Sequence, residues 1–201
     1  IWQRGVEKVL ALREDWMEAQ PETVDRLLLA LSHAAAWCDD RGNAEELAAL
    51  LARPDYVNEP VEAILPALAG RMVLQLGDVP IDEPDMLIFD REAAAFPWRS
   101  QALWIYSQFV RWGMCKPSVG RERRAAAVFR SDVYRRALAA AGRAMPGASL
   151  KVEGALANPS AVGTHRGALM LGSDRFFDGA VFDPADIAGY LARYKVRRNP
   201  G

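Results

Sequence analysis

The sequence predicts an α/β chain in which helices dominate, and three observations carry that reading. Stretches with apolar residues at helical spacing follow one another, several of them opened by recognisable capping residues. Strand-like runs are few and short, chiefly EKVLALR (7–13) and MLIF (86–89). No stretch of the sequence approaches the roughly 18 to 20 consecutive apolar residues that a membrane span requires.

The elements can be justified in order. EKVLALR reads as a short strand ending near Asp15. A longer helix follows from about Pro21 to Cys38, where Pro21 suits a first turn and Glu22 and Asp25 place negative charge at the positive end of the dipole. Val24, Leu27, Leu28, Leu31, Ala34, Ala35 and Cys38 fall at helical spacing and are expected to form its buried stripe. DDRGN ends it. NAEELAALLA (43–52) opens on an Asn cap with Glu46 three residues on, and VEAILPALAG (61–70) is a helix bent or interrupted by Pro66. Residues 71–95, rich in Pro, Asp and Gly, form a long meandering segment around MLIF. RERRAAAVF (121–129) and SDVYRRALAAAG (131–142) are helical, the second capped by Ser131 and ended by Gly142. Residues 145–175 show little periodicity and read as a loop-rich arm. The chain closes on a helix with Asp183 and Pro184 as its N-cap and first residue.

FPWRSQALWIYSQFVRWGM (96–114) is the densest aromatic stretch. At about 100° per residue, Ala102, Ile105, Tyr106, Phe109 and Val110 share a face, with Leu103 and Trp112 at its margins, so most of the aromatics are expected in the core. Ser107, Gln108 and Arg111 take the other side, and Trp104 falls with them. Such a stripe differs from a base-stacking platform, which displays its aromatics beside Lys and Arg on an open surface.

Composition excludes several functions. Twenty-five basic residues nearly cancel twenty-six acidic ones, leaving a net charge of -1 and no field for non-specific nucleic-acid binding. Cys38 and Cys115 lack CxxC spacing, and only His33 and His165 accompany them, which is too little for a structural zinc site. His33 and Cys38 lie about 140° apart around their helix and do not face one another. His165, in GTHRG, has no visible partner for catalysis. The basic run RERRAAAVFR reads as a solvated helix face, and no glycine-bearing segment has phosphate-loop spacing. The chain starts at Ile1 without a signal pattern, which leaves its compartment undecided.

FPWRS with LWIYSQFVRWG resembles a segment of the nitrate and bicarbonate solute-binding proteins of ABC transporters and of their cytosolic nitrate-sensor relatives. VEKVLALREDWMEAQPETVDRLLLALSHAAAWCDD resembles that family's strand and following helix, and ARPDYV, FRSDVYRRAL and RFFDGAVFDP are similar to family segments in the same order. The resemblance implies a periplasmic-binding-protein-like two-lobed α/β clamp, of which this chain is the mainly helical C-terminal half. Residues 1–20 would be the end of the second lobe and a return strand, 21–144 a helical region, and 145–201 a C-terminal arm with the final helix.

The resemblance also implies binding of nitrate or nitrite, without catalysis, cofactor or resident metal. Lys8, in VEK, matches the lysine of the family's PEK motif that reaches the anion; Val6 stands where the family has Pro. A lysine suits a planar monoanion that only accepts hydrogen bonds, because it brings donors and one positive charge together. Bicarbonate-binding members carry a carboxylate beside that lysine to hold a metal. Val9 in this position points to nitrate or nitrite, while Glu7 keeps bicarbonate open. The expected partner is an ABC permease, with a location in the periplasm or anchored on the outer side of the inner membrane. The alternative is a cytoplasmic sensor that holds an RNA-binding antiterminator until nitrate binds, with no direct nucleic-acid contact.

Overall fold

The computed structural model describes residues 2–5, 8–72, 75 and 79–195. They form two compact units, one made of residues 1–28 and 96–201, the other of residues 29–95. Eight α-helices are present among the described residues: α1 (Glu14–Ala19), α2 (Pro21–Asp39), α3 (Ala44–Leu51), α4 (Val61–Leu68), α5 (Arg99–Arg111), α6 (Val119–Val128), α7 (Ser131–Leu138) and α8 (Ile187–Ala192). Two antiparallel pairs of two-residue strands complete the regular structure. Arg71–Met72 (β1) pairs with Ile81–Asp82 (β2), and Ser160–Ala161 (β3) with Met170–Leu171 (β4).

Most helix placements follow the sequence closely, but α1 stands where only the end of a strand was expected, and the strand placements do not hold. Among the described residues 8–13, none joins a strand, and MLIF forms bends. A strand exists only where a neighbour satisfies its N–H and C=O groups, and neither run has one among the described residues. Several caps also shift. Ser131 is already helical, with Arg130 as N-cap, and α8 starts three residues beyond Pro184, capped by Asp186, whose carboxylate accepts from the Gly189 N–H. Asp183 instead accepts from Ala185 in the preceding turn. The Asn43 amide donates to the Trp37 carbonyl, closing α2 rather than opening α3. Pro66 lies within α4, two residues before its end, and the helix continues past it.

In the second unit, α3 packs on α4, which leads into β1. Asp39 fixes the return of the chain: its carboxylate accepts from three consecutive backbone N–H groups, Phe89 at 2.9 Å, Asp90 at 2.6 Å and Arg91 at 2.7 Å. That one side chain supplies the ordering which MLIF would have needed a strand partner to obtain. Arg41 and Arg91 both donate to the Pro84 carbonyl, and Arg91 also pairs with Asp85, so the Pro-rich segment is held by side chains. In α2, the most buried residues are Val24 and Ser32, while Leu31 is 44% exposed. Val24 is buried within the first unit, and within the second Ser32 is buried with Ala35 and Asp39 half-buried on its side of the helix, about one residue round from the predicted Leu31 and Cys38.

The first unit's core is built from Leu103, Tyr106 and Val110 of α5, Phe176, Ala180 and Phe182 of the arm, and Ile187, Tyr190 and Leu191 of α8. The α5 stripe is also rotated from its expected position. Ser107 and Gln108 are buried, whereas Phe109 is 42% exposed. Polar groups face inward here because partners meet them. The Ser107 hydroxyl donates to the Trp104 carbonyl at 2.6 Å, and the Gln108 amide donates to the Ser107 oxygen at 3.1 Å.

Trp104 is covered by packing within this unit. Its ring stacks on Phe176 at 5.6 Å and lies 5.0 Å from Trp2, and its Nε1–H donates to the Tyr190 hydroxyl at 3.1 Å. Gly154 makes this possible: at φ +82, a Cβ there would stand 2.5 Å from the Phe176 ring.

Candidate functional site

Lys8 lies exposed in the irregular segment that precedes α1. Its neighbours Val6 and Glu7 lie outside the described residues, so the VEK motif is described only at its lysine. Val9 and Leu10 continue the segment as exposed apolar side chains. Beyond them a shallow groove of about 650 Å³ runs along Ala11, Leu12, Arg13, Asp15, Trp16 and Ala19. Arg13 and Asp15 pair at its edge, and that hydrogen bond holds the Asp15 carboxyl below its ordinary range. Lys8 and the groove thus occupy one exposed stretch at the entrance to α1. His33 is exposed on α2, and Cys38 and Cys115 are free thiols, with burial pushing Cys38 upward. No group of three or more metal-ligating side chains is gathered among the described residues.

The most enclosed chemistry is elsewhere, where α5 meets the arm. Lys151 bridges the carboxylates of Glu153 and Asp174 with its ammonium. The Ser100 hydroxyl donates to the other Glu153 oxygen at 2.5 Å, the Lys151 N–H donates to Ser100 Oγ at 3.2 Å, and the Leu156 N–H donates to Asp174 at 2.9 Å. Glu153 is 0% exposed, and its backbone pairs both ways with Phe182 at 2.9 Å. Trp98 places its indole 5.9 Å from the Lys151 nitrogen.

Trp98 and Lys151 stand in the wall of a cavity of about 530 Å³ whose remaining surface is mostly apolar, including Leu150, Leu156, Val162 and Leu171, with His165 among the lining residues. Arg135 of α7 holds its edge by donating to the Pro146 carbonyl at 2.9 Å and to the Ser149 hydroxyl oxygen at 2.9 Å, while its guanidinium covers the Phe96 ring. The sequence showed only an aperiodic arm here. The available signal was KVE, in which Lys151 and Glu153 alternate with Val152 and so point to one side of an extended chain.

Two carboxylates share one ammonium in this network. Burial raises the Glu153 pKa, and Lys151 offsets part of the rise. An acid whose folded pKa exceeds its unfolded value stabilises the fold most at low pH. Stability from Glu153 is therefore expected to be full below its ordinary value of 4.5 and to fall as pH rises from there through the raised value. Denaturant unfolding across that window checks this: the wild type should lose stability relative to Glu153→Gln as pH increases.

The NMT1-like family matches residues 1–52. Over 199 residues, 98% of this chain and 40% of the relative, the sequence is 30% identical to the nitrate/nitrite binding protein NrtA of Synechococcus elongatus. It is 28% identical over 211 residues to the bicarbonate-binding protein CmpA of the same species, covering 98% of this chain and 42% of that protein. The chain thus spans about two fifths of the length of these curated relatives. The crystal structure of the periplasmic nitrate-binding protein NrtA from Synechocystis PCC 6803 superposes with a TM-score of 0.73 over 92% of this chain and 44% of that one, at 24% identity. Sequence similarity runs along nearly the whole chain and the fold agrees, so the chain is similar to these nitrate- and bicarbonate-binding proteins and has the fold of a mainly helical portion of a periplasmic-binding-protein-like α/β clamp.

Proposed function

We propose that this chain is part of a receptor for a small inorganic anion, nitrate or nitrite, that delivers it to an ABC importer outside the inner membrane. The observation that carries the proposal is Lys8, an exposed cation at the entrance to α1, in the position that matches the anion-reaching lysine of the family motif. A planar monoanion offers only acceptors, so its receptor must supply donors and a positive charge, and an ammonium does both without imposing bidentate geometry. Closure of the two lobes would add contacts that exist only in the closed state, and the anion would shift the population toward it. Val9 beside Lys8 places no carboxylate there for a metal, which favours nitrate or nitrite over metal-assisted bicarbonate.

Calorimetry on the full-length protein tests this reading. Lys8→Ala should weaken nitrate binding at least several-fold, and unchanged affinity would remove Lys8 from the site. The same titration with bicarbonate ranks the two anions. Nitrate-dependent release of an RNA-binding antiterminator, in place of association with a permease, would assign the scaffold to a cytoplasmic sensor.

A further inference from the structure

The corner between α5 and α6 carries features that anion binding does not use. Trp112 is 51% exposed, Met114 67% and Val119 62%, all within eight positions. Lys116, Arg121, Arg123 and Arg124 in the same stretch are also exposed, and Glu122 is its single acid.

Hydrogen bonds tie the corner on both sides. Gly113, at φ +75, ends α5 in a Schellman motif, with the Gly113 N–H donating to the Val110 carbonyl at 3.0 Å and the Met114 N–H to that of Phe109 at 2.9 Å. The Ser118 N–H donates to the Tyr106 hydroxyl at 3.0 Å, and its side chain caps α6 through Arg121. Cys115 packs inward against the core, so Met114 and Lys116 on either side point out. Apolar side chains held outward at this cost in exposed surface call for a partner that covers them.

We propose that this corner docks on a bilayer rich in anionic lipid, with Trp112, Met114 and Val119 entering the headgroup boundary and the lysine and arginines lying over the lipid phosphates. Charge complementarity selects the occupant: four exposed basic side chains in the same short stretch as the exposed apolar ones match an anionic surface, and tryptophan favours the interface between headgroup and acyl chain.

Co-sedimentation of the full-length polypeptide, made without any lipid anchor, with phosphatidylcholine vesicles that contain or lack phosphatidylglycerol provides the test. Binding should require the anionic lipid and weaken with salt. Each basic side chain near such a surface is worth roughly fivefold in partitioning, so Arg123→Glu with Arg124→Glu should reduce it more than about tenfold. Trp112→Phe should keep binding while losing the emission quenching by brominated lipid, which separates insertion from a folding defect. No binding by the wild type, equal binding to neutral vesicles, or binding only to vesicles that carry the permease would overturn the proposal.

Discussion

Lys151→Met is expected to destabilise the protein by about 3–5 kcal/mol, the range for stripping one partner from a buried ion pair. The size follows from what is left behind. Glu153 and Asp174 would retain the Ser100 hydroxyl and the Leu156 N–H as donors, but would lose the ammonium that bridges them. Burial already raises the Glu153 pKa and Lys151 is what offsets it, so without the ammonium Glu153 takes up a proton more readily. Equilibrium urea unfolding at neutral pH measures the loss. Adding Glu153→Gln and Asp174→Asn to the Lys151→Met chain removes the stranded charge and should recover a substantial part of it, because the penalty belongs to the broken network and not to the methionine. A single variant as stable as the wild type would mean that water reaches the carboxylates and that the network is not closed.

The network was the least legible feature of the chain, and the reason is physical. Helices announce themselves through local spacing: α2, α3, α4 and α6 lie within about two residues of where caps and apolar periodicity place them. Ser100, Lys151, Glu153 and Asp174 come from separated stretches, and only the folded chain makes them neighbours. The same limit explains α5. Its predicted stripe assumed that polar side chains face solvent, yet Ser107 and Gln108 are buried because Trp104 and Tyr190 offer them partners. Phe109 then takes the open side. Lys8 is the opposite case, a residue that neither periodicity nor burial distinguishes and that only the family motif singles out.

Phe182→Ala should cost about 3–5 kcal/mol, the usual loss when a large aromatic is truncated in a core. Phe182 is 0% exposed, and its ring meets Tyr190 edge to face at 5.1 Å and 90°. Removing the ring leaves a void between the arm and α8 that relaxes only where Ile187 and Leu191 can shift inward. The backbone at this position does a separate job, because the Phe182 N–H and carbonyl hold both sides of Glu153. That pairing survives the substitution, so the loss measures packing alone. Phe182→Leu, which refills much of the space, should therefore recover most of the stability in the same urea titration. If leucine were no better than alanine, the cost would lie in the edge-to-face contact with Tyr190, which leucine cannot restore, and not in the volume of the core.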